Sequence, residues 1–242
     1  MQRLDAGLAA RGLAPSRSRA AEMIKSGQVL VNGAVCQKAA RPVGPEDKLE
    51  TVGGHEYVGR GGLKLRAAFE LFGLNVQGLT ALDVGASTGG FTQCLLENGA
   101  ARVYAADVGH GQLAAALRED GRVINMEGYN FRAARPEDFE PSPRFACCDV
   151  SFISLKYILP SMFDVLLPDS FAAVLIKPQF EQESRSALDK HGVVKSERAR
   201  IAAIAQVHGY AQTAGFEVLD TTQSPVTGGS GNIEYLCKLY KP

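Results

Sequence analysis

No apolar run in this 242-residue chain approaches the ~20 residues of a membrane span, and the opening Met1-Gln-Arg-Leu-Asp-Ala6 lacks the apolar core of a signal peptide. These absences argue against a membrane or exported protein and point to the cytoplasm. Cysteine is scarce and irregular: Cys36, Cys94, Cys147, Cys148 and Cys237 are odd in number and show no C-x-x-C spacing. That excludes a disulfide framework, and the four scattered histidines offer no ligand spacing for a structural metal. Neither sign of charge is in excess, with 26 Lys/Arg against 26 Asp/Glu. There is no internal repeat and no low-complexity tract. The two best-known phosphate motifs, G-x-G-x-x-G and G-x-x-x-x-G-K-[ST], are also missing. What remains is a globular chain, 45% hydrophobic, able to form one large domain or a medium and a small one.

Charge is distributed unevenly. Residues 1–41 carry seven Lys/Arg and two Asp/Glu, a local surplus of five that the rest of the chain offsets. A basic module joined to a neutral body suits contact with a polyanion, most simply nucleic acid, although a solvated face with no partner would look the same. Within it, Leu4, Leu8 and Leu13 space a first helix. Ser16 is placed to cap a second, whose apolar face is Ala20, Ala21 and Ile24 and which ends at Gly27. Val29-x-Val31, Asn32-Gly33 and Val35 then predict a tight hairpin. Arg11, Arg17, Arg19 and Lys25 lie on or beside the helical pair and are candidates for phosphate contacts. Together with Arg3-Leu-Asp and Gly27-x-Val-x-Val-Asn-Gly33, they make residues 2–50 similar to the small α+β RNA-binding domain of the S4 type. That resemblance adds Arg3 to the RNA-binding set. Pro42, Pro45, Gly53 and Gly54 punctuate its end, and Gly59-Arg60-Gly61-Gly62 reads as a hinge, with Arg60 a further RNA contact. Two domains are expected, residues 1–58 and 59–242.

Beyond the boundary, apolar runs alternate with helical stretches. Strands are expected at 79–84, 102–107, 122–126, 145–149, 171–176, 216–222 and 233–239, and helices at 90–98, 111–118, 154–167 and 197–214. The succession predicts an α/β fold of Rossmann type, a mostly parallel sheet with helices on both faces and an antiparallel edge hairpin formed by the last two strands. Its ligands gather at the carboxyl ends of the strands. There, Asp83-Val-Gly-Ala-Ser-Thr-Gly-Gly-Phe-Thr92 runs from a strand through a glycine turn into a helix whose free N–H groups face the same space. Asp107 ends the next strand 22 residues after Gly85, close to the ~20 at which an acidic residue meets ribose hydroxyls. Two carboxylates around a glycine turn suit a nucleoside with a cationic amino-acid tail, which describes S-adenosyl-L-methionine. Asp83, Gly85, Ala86, Ser87, Thr88, Gly89, Gly90, Phe91, Asp107, Val108 and Asp149 are the candidate contacts. An ordinary capped α/β turn is the plainer reading.

Asp149 and Lys177 close strands, Glu234 opens the last one, and Lys64 follows the glycine run, so two lysines and two carboxylates are candidates to converge at the crevice. Taken singly, each is as well explained by a strand end facing water. In combination, Arg60-Gly-Gly-Leu-Lys-Leu, the 83–92 motif, Asp107-Val-Gly-x-Gly-Gln-Leu, Asp149-x-Ser-Phe-Ile-Ser-Leu, Ile176-Lys-Pro-Gln-Phe-Glu and Gly231-Asn-Ile-Glu resemble the TlyA family, also called hemolysin A-like. The resemblance spans the chain in order. It implies an FtsJ-like, S-adenosylmethionine-dependent domain behind the S4-like one, with rRNA or a ribosomal subunit as partner and a cytidine of large-subunit rRNA as target. It also implies a Lys64, Asp149, Lys177 and Glu234 tetrad for ribose 2′-O-methylation. Three positions depart from the pattern: Gly59 in place of serine, Glu127-Gly-Tyr-Asn-Phe-Arg132 in place of Thr-Asn-x-Arg, and Gly229 in place of proline.

A ribose hydroxyl is a weak nucleophile, so a site for it must hold it in line with the methyl donor and help its proton leave. Lys177 is the residue expected to steer or deprotonate the hydroxyl, with Asp149 and Glu234 orienting the lysines and Lys64 binding phosphate or assisting. Phe91 and Phe152 would supply an apolar wall. Carbon-5 methylation of a base would require a nucleophilic cysteine, and of Cys147-Cys148 at most one can face the crevice. Methylation of an exocyclic amine calls for an Asn/Asp-Pro-Pro-aromatic turn, which Asp149-Val-Ser-Phe is not. The further alternatives are an RNA-binding assembly factor with a degenerate enzyme domain and a membrane-lytic protein, the latter without a supporting apolar segment.

Overall fold

The computed structural model describes residues 1–25, 27–51, 57–182, 188–228 and 231–242. Gly53, Gly54 and Gly229 therefore lie outside the described residues. The chain divides into two compact units, Met1–Glu56 and Tyr57–Pro242.

In the first unit, strand β1 (Gln2–Arg3) leads into helix α1 (Leu4–Ala10), and α2 (Arg17–Lys25) follows. Leu4, Leu8, Ala20 and Ile24 are fully buried, so the spacing of the apolar positions sets which helix faces meet. Ser16 accepts the backbone N–H of Arg19 (3.2 Å), the expected cap. Strands β2 (Val29–Val31) and β3 (Ala34–Val35) pair antiparallel around Asn32 and Gly33, both at positive φ (54° and 79°). The Asn32 amide does more than turn the chain. It donates to Asp47 Oδ1 (2.7 Å) and accepts the Lys48 N–H (2.8 Å), bringing β5 (Leu49–Thr51) beside β2 to make a three-stranded sheet that the sequence pattern did not reveal. Strand β4 (Pro42–Val43) pairs with β1.

In the second unit, α3 (Gly61–Phe72) precedes β6 (Thr80–Val84), α4 (Gly90–Glu97), β7 (Arg102–Asp107), α5 (Ala115–Arg118), β8 (Val123–Glu127) and β9 (Phe145–Cys148). Then come α6 (Leu159–Val165), β10 (Ser170–Ile176), α7 (Pro178–Glu181), α8 (Glu197–Ala214), β11 (Glu217–Gln223) and β12 (Tyr235–Lys241). The seven strands form one sheet in the order β8-β7-β6-β9-β10-β12-β11. All neighbours are parallel except β12, which runs antiparallel to both β10 and β11. The predicted closing hairpin is present, with one difference: the last strand sits inside the sheet and β11 forms the edge. Two lysines of β12 also satisfy helix ends. Lys238 Nζ donates to the Phe72 carbonyl (3.0 Å) and Lys241 Nζ to those of Phe163 (2.6 Å) and Leu166 (2.7 Å), at the C-termini of α3 and α6.

The chain adds β7 and β8 on one side of β6 and returns to place β9 on the other, so a crevice opens where the carboxyl ends of β6 and β9 diverge. Helices cover both faces: Phe69, Phe72, Leu95 and Leu96 of α3 and α4 pack on one, and Leu159, Met162, Val207 and Ala211 of α6 and α8 on the other. Cys147 belongs to the first core and Cys148 to the second, and both are fully buried. Desolvation raises both thiols well above their usual range, so neither is available as a nucleophile.

Three expectations differ. The helix foreseen at 154–167 is α-helical only over Leu159–Val165, after a 3-10 turn at Leu155–Tyr157. The helix foreseen at 111–118 is helical only from Ala115, because Glu127 accepts the N–H groups of Gln112 (2.8 Å) and Leu113 (3.1 Å) and holds that stretch as a loop. The Gly59–Gly62 run, expected as a hinge, instead enters α3 and packs tightly. A Cβ on Gly62 would lie 2.1 Å from the Tyr57 ring.

Candidate active site

The glycine turn is a close-approach device. Gly85 (φ 86°) has room for no side chain, since a Cβ there would lie 2.9 Å from the Asp149 carbonyl oxygen. A Cβ on Gly90, which opens α4, would meet the backbone of Gly59 and Gly62 at 3.0 and 2.8 Å. The departure at Gly59 has a steric reason, because its Cβ would come within 2.6 Å of Thr88 Oγ1.

Two adjoining cavities open here, of about 250 and 450 Å³, sharing Gly85, Ser87, Asp149 and Ser151 in their walls. The larger is bordered by Asp107, Val108, Tyr129, Asn130 and Phe131, and the smaller by Ala86, Thr88, Gly90, Phe91, Lys64 and Lys177. Asp107 accepts the backbone N–H of Ser87 (2.8 Å) through Oδ2 and that of Gly109 (2.7 Å) through Oδ1, tying the turn after β6 to that after β7. Each oxygen retains a lone pair for a hydroxyl donor. Asp83 behaves differently. It is fully buried beneath the turn, accepts the Thr92 hydroxyl (2.7 Å), and lines neither cavity. Burial pushes its carboxyl up to about 7, a rise that the Thr92 hydrogen bond partly offsets. Gly89 (φ 97°) caps α4 from below and is likewise outside both linings.

Lys64 from α3, Asp149 after β9, Lys177 after β10 and Glu234 before β12 form one continuous ionic row. Glu234 Oε2 is 2.7 Å from Lys64 Nζ, which lies 3.6 Å from Asp149 Oδ2, and Asp149 Oδ1 is 2.6 Å from Lys177 Nζ. Lys64, Lys177 and Glu234 are all buried. Alternating signs let each charge satisfy its neighbours where water cannot. Lys177 also donates to Ser151 Oγ (2.7 Å), an interaction the sequence did not single out although Ser151 stands two residues after Asp149. Phe91 is buried as a wall should be. Phe152 is 91% exposed and faces Phe180 at 5.1 Å, so it forms no dry wall in this structure.

Residues 57–241 match the FtsJ-like methyltransferase family, and residues 2–49 match the S4 domain. The chain is an FtsJ-like methyltransferase of the TlyA family. It is 42% identical to the 16S/23S rRNA (cytidine-2′-O)-methyltransferase TlyA of Mycobacterium tuberculosis strain H37Rv, over 96% of this chain and 87% of that protein. It is 42% identical to the Hemolysin A of Brachyspira hyodysenteriae, over 97% and 98% respectively. Identity to the 23S rRNA (cytidine-2′-O)-methyltransferase TlyA of Campylobacter jejuni is 35%, over 91% and 92%. For this FtsJ-like chain, no helix among the described residues is long and apolar enough to cross a membrane, and no cluster of three or more His, Cys, Asp or Glu among them is arranged to hold a metal.

In the S4 unit, the cations singled out from sequence are partly engaged. Arg3 (2.9 Å) and Arg17 (3.3 Å) converge on Asp5, a buried carboxylate that its hydrogen bond to Arg3, foremost, holds down at about 2. Arg11 staples α1 to the turn before β5, donating to the Gly44 and Asp47 carbonyls at 2.6 Å each. Arg19 pairs with Glu22 at 3.2 Å. Lys25 is exposed at the end of α2, and Arg60, in the catalytic unit, is exposed at the rim of the smaller cavity.

Proposed function

We propose that this chain transfers a methyl group from S-adenosyl-L-methionine to the ribose 2′-hydroxyl of a cytidine in large-subunit rRNA, in the cytoplasm, its S4 unit holding the RNA backbone. The observation that carries the reading is the Glu234-Lys64-Asp149-Lys177 row ending where the two cavities meet. The cofactor fits this crevice. Gly85 leaves backbone where a side chain would intrude, Asp107 offers acceptors to ribose hydroxyls, and Val108, Tyr129 and Phe131 border a space suited to a purine. Bound there, the cofactor supplies an electrophilic methyl group on a sulfonium.

The chain's residues then have distinct tasks. Asp149 Oδ1 and Ser151 Oγ lie 2.6 and 2.7 Å from Lys177 Nζ, and Lys177 borders the smaller cavity. Lys177 therefore meets an incoming 2′-hydroxyl with a fixed geometry and orients its oxygen, and it can take the hydroxyl proton once it has given up one of its own to Asp149 or to solvent. Lys64, neutralised by Glu234, keeps Asp149 from carrying an uncompensated charge when Lys177 changes protonation. Arg60 at the rim is placed for a flanking phosphate. Both TlyA relatives carry 23S rRNA and cytidine in their names, which supports the large-subunit target. Mapping 2′-O-methyl groups in rRNA from cells with and without the gene tests the reading. A cytidine ribose methyl in large-subunit rRNA that disappears with the gene is expected, whereas methyl groups lost only from a base, or only from small-subunit rRNA, would overturn it.

A further inference from the structure

The segment from Asp149 to Leu155 carries Ser151 and Phe152 into the walls of the reaction cavities. Its first half is tied by Lys177, through the ion pair to Asp149 and the hydrogen bond to Ser151. Its far end is tied separately. Glu181 Oε2 accepts the Ser154 hydroxyl at 2.5 Å, and Oε1 accepts the Leu155 backbone N–H at 2.9 Å. Lys177 immediately precedes the single-turn helix α7 and Glu181 ends it, so one rigid turn, opened by Pro178, grips the segment at both ends.

Between these ties lies a backbone that would not hold itself. Phe152 has φ of 64°, a left-handed conformation that a bulky residue adopts only when its surroundings impose it, and at 91% exposure it has almost no burial to offset the strain. Glu181 meanwhile is 5% exposed, and the desolvation of its carboxylate is offset only in part by its two donors. Neither of those bonds goes to the glycine turn, to Asp107 or to the ionic row.

Building on the methyl-transfer reading above, we propose that Glu181 is a positioning residue: with Lys177 it fixes the strained Ser151–Phe152 segment, and so sets the geometry in which Lys177 meets the ribose, without itself bonding to the cofactor. The consequence is selective. Loosening the far tie lets the segment relax toward ordinary φ values and frees Ser151 from Lys177, a displacement of the kind that costs about 10- to 100-fold in rate when reacting groups are misplaced by an ångström.

Glu181→Ala and Glu181→Gln test this in the full chain. Single-turnover methylation of a large-subunit rRNA fragment, at saturating RNA and S-adenosylmethionine, should fall by about 10- to 100-fold in E181A. E181Q, which keeps one acceptor and the side-chain volume, should recover part of that loss. Cofactor affinity by calorimetry should fall by less than the rate, because no described bond of Glu181 reaches the cofactor's cavity and only the segment it ties borders that cavity. The chain has no tryptophan, so Phe152→Trp adds a single fluorescent reporter. Its anisotropy should drop when E181A is added to F152W. A wild-type single-turnover rate in E181A, a loss of cofactor affinity in step with the rate, or an unchanged anisotropy would each overturn the proposal. The fluorescence measurement needs no methyl transfer, so failure of the positioning role is distinguishable from failure of the proposed reaction.

Discussion

Replacing Asp107 by alanine isolates the ribose-binding half of the crevice. In the free protein, its two oxygens hold the N–H groups of Ser87 (2.8 Å) and Gly109 (2.7 Å), so the side chain organises two turns before any ligand arrives. With S-adenosylmethionine bound, the same oxygens would accept the two ribose hydroxyls. A hydrogen bond to a charged acceptor contributes about 1.5–3 kcal/mol when its loss leaves the donor unpaired, and less when water can replace it. The 450 Å³ cavity is open to solvent, so water replaces part of each bond and the net loss is about 0.5–1.5 kcal/mol per hydroxyl. The summed loss is then about 1–3 kcal/mol, or roughly 5- to 150-fold in affinity. Asp107→Asn keeps one acceptor, presents an amide N–H to the other partner, and should fall between the two. Titration calorimetry with S-adenosylmethionine or S-adenosylhomocysteine measures the effect, with a thermal melt to confirm that the variant is folded. D107A binding within twofold of the parent chain would show that the ribose sits elsewhere.

Lys177→Ala should abolish methyl transfer to rRNA while leaving calorimetric cofactor affinity nearly intact, since its proposed task lies with the hydroxyl and it borders the smaller cavity and not the larger one; near-parental turnover would refute that. Neutralising Arg17 and Arg19 should weaken RNA binding across sequences and flatten its dependence on salt by about 0.7–0.9 for each phosphate no longer neutralised, read from binding at several ionic strengths. An unchanged slope would make this face merely solvated. Asp83 makes a pH prediction. Its folded-state value of about 7 lies above the ordinary 3.8, so its contribution to stability is full below pH 3.8 and is lost as pH rises to about 7. Asp83→Asn removes that dependence. Denaturant titrations should show the variant gaining on the parent chain between about pH 4 and pH 7, by an amount on the order of 4 kcal/mol, and a pH-independent difference would contradict the assignment.

Much of this architecture was legible because buried parallel strands read as short apolar runs. Thr80–Val84, Phe145–Cys148 and Ser170–Ile176 are close to where the pattern puts them, as is the 18-residue helix opened by Ser196, whose hydroxyl accepts the Ala199 N–H. Helix α3 escaped detection because Gly59, Gly61 and Gly62 carry the signature of a flexible joint. Their actual reason is space, limited by Thr88 at Gly59, by the Phe91 ring at Gly61 and by the Tyr57 ring at Gly62. The four charged residues of the row were identifiable only as a conjunction of motifs, since each alone is an ordinary strand end. Asp5, Ser151 and Glu181 lie within the motifs yet received no role, because what each does depends on a partner brought near by folding: two arginines for Asp5, Lys177 for Ser151, and the Ser154–Leu155 turn for Glu181.

The position of β12 sets an order of assembly. Among the described residues, strand β11 has no neighbour in the sheet other than β12, and Glu234, which begins the turn into β12, reaches Lys64 across 170 residues of sequence. As the polypeptide leaves the ribosome, β6 to β10 can pair progressively, yet the edge of β10 stays uncovered and Lys64 lacks Glu234 until the final strand slots between β10 and β11. This strand, later in sequence than the others of the sheet, thus closes the sheet, caps α3 and α6 through Lys238 and Lys241, and completes the ionic row together. A chain interrupted before this strand is left with an open edge on β10 and with Lys64 paired to Asp149 alone, at 3.6 Å.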